Sequence, residues 1–443
     1  MEGDVERTKK YDTIAYEQSL RYKGKIQVLP KVPINSLKDF SVWYTPGVAE
    51  VSRRIKENKD LSFELTGRWN SVAIVTDGTR VLGLGKIGPE AAMPVMEGKA
   101  LIFNYLGGIN AIPLTLRTES RGEFIASVRS LEPSFGAFNL EDIESPKCFF
   151  VLEELQKNME VPVWHDDQLG TASITLAGVI NALRVVGKKK EDVRVTLIGS
   201  GAANVAIANL LIAAGFRAGN MMLVDHLGIL EPEREDMDKL MMENPLKYKL
   251  AIDTNSERKK GDIESAMKGS DVVISASRSE AGFIHKEWVS GMNDDAIVFA
   301  LANPTPEIWP HDAKDAGAMV VATGRSDFPN QINNSLIFPS LFRGVLDARA
   351  KGVNFDVMIA ASEEIANFVS DPQPDKIVPT MDEWEMYPEV AATVAYKTAE
   401  LGLARQRKSR EWFRNNAQEI IENNRRLYQS ILKEGFIKKM EVL

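Results

Sequence analysis

From residue 193 onward the chain alternates short apolar runs with helical stretches. VRVTLIG (193–199), NMMLVD (220–225), DVVISAS (271–277), AIVFALANP (296–304) and MVVATG (319–324) have strand length and are mostly rich in Val and Ile. Near-continuous apolar runs of this kind suit strands covered by helices on both faces. Between the first two lies GAANVAIANLLIAAGF, an Ala- and Leu-rich segment that predicts a helix ending near Gly215. This βαβ alternation predicts a doubly wound parallel sheet.

Residues 1 to 160 read differently. SVAIVTDG (71–78), RVLGLG (80–85), INAIPLTL (109–116) and the stretch before Glu141 predict strands, and MPVMEGKALIFNYLG (93–107) predicts a helix. Beyond the Pro-rich DPQPDKIVP, the segments PEVAATVAYKTAELGLARQ and SREWFRNNAQEIIENNRRLYQSILKEG predict helices, the second amphipathic. The expected fold class is therefore α/β: a Rossmann-type doubly wound parallel sheet domain, a second N-terminal α/β domain and a helical C-terminal tail. The divisions are expected at 1–160, 161–375 and 376–443, with the tail packed on the other domains or on a partner subunit.

Composition narrows the function. A chain of 443 residues is long enough for two or three domains. A formal charge of −8 argues against a surface that neutralises phosphates or anionic lipid, so neither nucleic acid nor membrane is an expected partner. Cys148 is the one cysteine, which excludes an intrachain disulfide and a thiolate metal cluster and suits a reducing compartment. The start, MEGDVERTKK, has no signal-like apolar region, and no apolar run is expected to approach the roughly 18 residues of a membrane span. A cytoplasmic protein is expected.

The segment GSGAAN (199–204) follows a predicted strand and opens a predicted helix. Gly199 permits a tight turn, Gly201 lets backbone approach a pyrophosphate, and the helix start offers unpaired N–H groups. Asn204 stands where the usual fingerprint has a third glycine. Asp225 ends the next strand, where an acid accepts from the adenosine ribose hydroxyls. A carboxylate there repels a 2′-phosphate, and the following HLGIL offers no Arg or Lys, which favours NAD over NADP while leaving NADP open to a distant lysine.

Two acidic pairs end apolar stretches: Glu141 and Asp142 in NLEDI, and Asp166 and Asp167 in VPVWHDDQLGTA. Carboxylates from separate segments, without a His or Cys cluster, suit Mg²⁺ or Mn²⁺. Adjacent residues of an extended chain point to opposite sides, so one member of each pair is free to serve a neighbour. Turns and helix caps use the same residue types and remain the plain alternative. Tyr44 in WYTPGVAE and Lys99 in PVMEGKALIF are candidate proton carriers, although packing and solvent exposure are the ordinary fates of such residues.

Together WYTPGVAE (43–50), TDGTRVLGLGKIGPEAAMPVMEGKALIF (76–103), NLEDI (139–143), VWHDDQLGTASITLAGVINAL (163–183), IGSGAAN (198–204), ALANPTPEI (300–308) and QINNSLIFPSLFRG (331–344) resemble the malic enzyme family in its short, bacterial and archaeal form. The resemblance implies oxidative decarboxylation of (S)-malate to pyruvate and CO₂ with a nicotinamide cofactor and Mg²⁺ or Mn²⁺. By position it implies Glu141, Asp142 and Asp167 as metal ligands, Lys99 as general base held by Asp166, and Tyr44 as general acid. It implies Asn303 and Asn334 at the substrate carboxylates, and Thr171, Gly199, Gly201, Ala202, Ala203, Asn204, Asp225 and Asn303 around the dinucleotide. It also implies a homodimer or higher homo-oligomer. Lys86 and Arg80 depart from the family's usual residues and bear on substrate range. A malolactic enzyme, which returns the hydride to give lactate, uses the same residues, and a silent nucleotide-binding scaffold is the third reading.

Overall fold

The structure, a computed structural model, describes residues 2–440. Two parallel sheets organise it. The first contains β1 (Ser71–Thr76), β2 (Asn110–Thr115), β3 (Ala137–Leu140) and β4 (Val163–His165) in the spatial order β2-β1-β3-β4. The second contains β5 (Val195–Ile198), β6 (Met221–Asp225), β7 (Gly228–Ile229), β8 (Val272–Ser275), β9 (Ala296–Ala300) and β10 (Ala318–Thr323), ordered β10-β9-β8-β5-β6-β7. In it only β7 runs antiparallel to its neighbour. The strand order reverses beside β5, and in open α/β sheets such a switch point opens a crevice at the carboxyl ends of the strands. β5, β8 and β9 are buried along their whole length, as the continuous apolar runs required.

Two expectations are corrected. Residues 80–85 form a tight turn rather than a strand, closed by Val81 N donating to Gly85 O at 2.9 Å, with Leu82 and Gly85 at positive φ. The handover between the sheets also falls later than residue 160, because Val163–His165 pairs with β3.

The helices that bear on the site are α1 (Pro89–Gly107), α2 (Thr171–Val186), α3 (Ala202–Ala213), α4 (Phe338–Asp347), α5 (Phe355–Phe368), α6 (Met386–Glu400) and α7 (Arg410–Lys433). α1 starts with Pro89 in its first turn and stops at Gly108, whose φ of 62° is left-handed. Its buried residues Met96, Ala100 and Phe103 recur at helical spacing. Phe103 meets Phe338 and Phe342 of α4 at ring-centroid distances of 4.6 and 5.0 Å.

The stretch Asp166–Val186 is long and apolar enough, by length and composition, to cross a membrane, contrary to expectation. In the fold it is a core helix, packed on α3 and α5. α6 packs on α4, α5 and α7, and α7 returns to α1, where Asn424 Nδ2 donates to Asn104 O at 2.8 Å. By contrast, Val28, Leu37, Val42 and Tyr44 are 90, 84, 64 and 68% exposed along the segment before the first sheet.

Candidate active site

Lys99 sits on the inward face of α1, between Met96 and Phe103, and its side chain is 10% exposed. Its Nζ lies 4.6 Å from the centre of the Phe338 ring. The ammonium donates to Glu141 Oε1 at 2.7 Å and, in a short contact, to Asp166 Oδ2. Asp166 is fully buried, and its other oxygen accepts from Trp164 Nε1 at 2.9 Å. Asn334 Nδ2 adds a donor to Asp166 Oδ2 at 3.0 Å and also reaches Thr171 Oγ1 at 3.1 Å.

The two acidic pairs divide their work through backbone geometry. After β4 the chain enters a wide π-type turn, Asp166–Gly170, before α2 begins. That turn aims Asp166 at Lys99 and leaves Asp167 facing the end of β3, where its Oδ2 accepts from Asp142 N at 2.8 Å. Asp142 has a left-handed φ of 54°, which breaks strand alternation and lets it face the same space as Glu141. Glu141, Asp142 and Asp167 each place a carboxylate oxygen within 4.8 Å of the others. Asp142 Oδ2 is buried and has no hydrogen-bond partner. An orphaned buried oxygen beside two further carboxylates fits a hard divalent cation.

Electrostatics agree. Four carboxylates face one ammonium in a largely buried space. Burial alone lowers the Lys99 pKa, but Asp166, Glu141 and Asp167 outweigh it and hold the amine above its ordinary value. Burial, then the charge of Asp167, pushes the Asp142 carboxyl up to about 7. Glu141 is raised well above the usual carboxylate range, chiefly by burial.

Across the crevice, the Asp166–Gly170 turn packs on α3, the helix that opens after Gly201. Gly199 has φ 95°, and a Cβ there would stand 3.0 Å from Ser277 Cβ. A Cβ at Gly201 would meet nothing within 4 Å, so space lies open over the turn beside Ala202 and Ala203. Asn204, expected at the cofactor, is fully buried instead. Its Nδ2 donates to Ile198 O at 2.7 Å and Gly199 O at 3.0 Å, so the amide closes the turn from behind. Asn303 follows β9 and approaches the first sheet: a Cβ on Gly83 would lie 3.6 Å from its carbonyl oxygen.

Tyr44 stands apart from this cluster. It is exposed at the end of the short helix Phe40–Trp43, its backbone N–H bonded to Phe40 O at 2.8 Å. Asp225 differs from expectation in its surroundings: Arg234 and Lys247, distant in sequence, both bond its carboxylate.

Three participants were missed in the sequence. Trp164 and Asn139, which donates to Glu141 Oε2 at 2.8 Å, each lie two residues before the acid they hold. Residues i and i+2 share a strand face, so that spacing was available as a signal. Glu307, buried, accepts from Ser277 N at 2.9 Å and Ala302 N at 3.1 Å, tying together the loops after β8 and β9. Nothing in ANPTPEI signals that tie.

Sheet, turn and cluster together define an α/β protein of the dinucleotide-binding class with an acidic, lysine-bearing site at its strand ends. Residues 23–123 match the malic enzyme N-terminal domain, and residues 169–401 match the malic enzyme NAD binding domain. The chain is 45% identical to the bifunctional malic/malolactic enzyme of Bacillus subtilis, over 86% of this chain and 92% of that one. It is 43% identical to an NAD-dependent malic enzyme of Geobacillus stearothermophilus (86% and 78% covered) and 38% identical to an NADP-dependent malic enzyme of Halomonas elongata (86% and 92%). A crystal structure of Entamoeba histolytica malic enzyme superposes with a TM-score of 0.94 at 39% identity, covering 98% of this chain and 90% of that one. The chain belongs to the malic enzyme family, whose relatives use NAD or NADP.

Proposed function

We propose that the chain oxidatively decarboxylates (S)-malate to pyruvate and CO₂ in the cytoplasm, reducing NAD or NADP, with Mg²⁺ or Mn²⁺ held by Glu141, Asp142 and Asp167. The observation that carries this reading is the buried contact of Lys99 with Asp166 and Glu141, beside the unpartnered Asp142 oxygen.

When bound, the divalent cation supplies Lewis acidity to the malate C2 oxygen. A nicotinamide dinucleotide held at the Gly199–Ala203 turn would supply hydride-acceptor chemistry. Lys99 takes the hydroxyl proton at Nζ, and for that it starts neutral. Glu141, Asp142 and Asp167 would hold the cation, and positive charge there would offset the acids that keep the ammonium protonated. Asp166 keeps the amine in place through the hydrogen bond they share. Asn334 and Asn303, which follow β10 and β9, orient the substrate carboxylates. Tyr44 delivers the proton to C3, and its exposure fits a site completed in a homodimer, where the apolar side chains of residues 26–51 are covered by the partner.

The test is a spectrophotometric assay with malate, each cofactor and each metal, with pyruvate and lactate both quantified. Metal-dependent pyruvate matched by reduced cofactor is expected. Activity that survives EDTA overturns the metal assignment. The resemblance to the bifunctional Bacillus subtilis enzyme keeps a second reading alive: lactate without release of reduced cofactor shows malolactic turnover.

A further inference from the structure

Glu307 is an acid with no exposed surface, and among the described residues no cation pairs with it. Its side-chain partners are neutral donors. Oε1 accepts from Ser275 Oγ at 2.6 Å, Ser277 N at 2.9 Å and Ser277 Oγ at 3.3 Å, while Oε2 accepts from Ala302 N at 3.1 Å. One carboxyl group thus holds two loops, one oxygen on each. The Glu307 backbone oxygen adds a third hold, accepting from Gly282 N at 3.1 Å and Ile284 N at 3.0 Å further along the loop after β8. Burying an acid without a counterion costs free energy. Burial holds the carboxyl above its ordinary pKa, and the bonds from Ser275, Ser277 and Ala302 pull it back.

The two loops serve different parts of the crevice. Ser277 packs over the turn after β5, where a Cβ on Gly199 would stand 3.0 Å from its own Cβ. Ala302 immediately precedes Asn303, which approaches Gly83 beside the first sheet. Among the described residues the Asn303 amide makes no hydrogen bond, so its direction depends on its backbone and on close packing against Gly324, where a Cβ would collide with Nδ2. That backbone is held on both sides of Asn303: Ala302 N by Glu307, and Pro304 O by Arg325 Nη1 at 2.8 Å.

We propose that Glu307 is a positioning residue, which fixes the Asn303 amide relative to the Gly199 turn and so sets how well the protein binds the dicarboxylate substrate. The inference rests on the malate reading of the site. Glutamine at this position separates the two ties, because an amide offers one oxygen where the carboxylate offers two. That oxygen settles on the Ser275 and Ser277 side, where three donors converge, and the amide nitrogen is left facing Ala302 N, donor against donor. Glu307→Gln therefore frees the Asn303 loop while Ser277 stays over Gly199.

The experiment is a double-mutant cycle in the full-length protein with Mn²⁺: Glu307→Gln, Asn303→Ala and the two combined, with KM for malate measured alongside binding of the reduced dinucleotide by fluorescence. Glu307→Gln is expected to raise KM for malate about tenfold, with the dissociation constant of the reduced dinucleotide changed by less than about threefold. In the Asn303→Ala background the same substitution moves KM by less than about twofold, because the amide that Glu307 positions is gone. General structural damage would instead repeat the full loss in that background, and such additivity overturns the proposal. So does a Glu307→Gln protein with the wild-type KM, or one that loses dinucleotide affinity and keeps its KM. Glu307→Asp keeps the charge on a shorter stem that cannot reach both loops; it is expected to give the same non-additive pattern, and it carries the cycle if Glu307→Gln does not fold. A wild type that binds the reduced dinucleotide and makes neither pyruvate nor lactate from malate removes the malate reading and the proposal together. Malate turnover with an additive cycle sinks the proposal alone.

Discussion

In the proposed reaction Lys99 carries the proton transfer, and its ammonium is bonded to two of the four carboxylates that converge from two strand ends. Lys99→Ala is expected to lower kcat for malate oxidation by about 10²–10⁴-fold, the usual worth of a positioned proton carrier, with NADH binding retained in a fluorescence titration. Substantial turnover in that variant would remove Lys99 from its role. Gly170 tests the same geometry from the backbone. A Cβ at this position would collide with the Asp166 carboxylate, which cannot yield without losing Trp164, Asn334 and Lys99. Gly170→Ala therefore destabilises the fold by about 1–3 kcal/mol in urea titration and depresses activity beyond what unfolding explains.

Single elements aim these residues. α1 is held against α4 by the Phe103, Phe338 and Phe342 rings, one turn from Lys99. Phe103→Ala removes the centre of that contact and is expected to cost about 3–5 kcal/mol of stability, read as a lower urea midpoint. The loop end of β3 and the turn after β4 supply the acids, and pH dependence follows from their burial. An acid at pKa about 7 in the folded state and near 4 when unfolded binds more protons when folded. Stability contributed by Asp142 is thus present at pH 4 and declines as pH rises through 7. In EDTA the melting temperature should fall from pH 5.5 to 8; adding Mn²⁺ should restore it at pH 8 and do little at pH 5.5, where protons occupy the same oxygens. A Mn²⁺ effect equal at both values would show that the cation binds elsewhere.

At the scale of the whole molecule, the apolar side chains Val28, Leu37 and Val42 before β1 are left exposed by the described residues of one chain. A homodimer is expected, with a mass by light scattering near twice 49.2 kDa. If Tyr44 serves the partner's site, two inactive variants complement each other: refolding Tyr44→Phe together with Lys99→Ala should recover about a quarter of wild-type activity, the share of sites that receive both intact residues in randomly mixed dimers. No recovery on mixing, with heterodimers demonstrated, places Tyr44 in its own subunit's site.

The sequence by itself determined the periodic core. The buried strands of the second sheet follow directly from continuous Val- and Ile-rich runs, and α7 from its amphipathic spacing, because burial acts on each segment in turn. It also supplied the chemistry-bearing residue types, since carboxylates at strand ends announce themselves. Only the tertiary structure decided where those groups point. The π-type turn splits Asp166 from Asp167, the left-handed Asp142 faces back toward Glu141, and Arg234 and Lys247 close on Asp225 from 9 and 22 residues away. Hydrophobic patterning is local and survives as a one-dimensional signal. Charge pairing depends on distance through space, which the chain fixes only once it has folded.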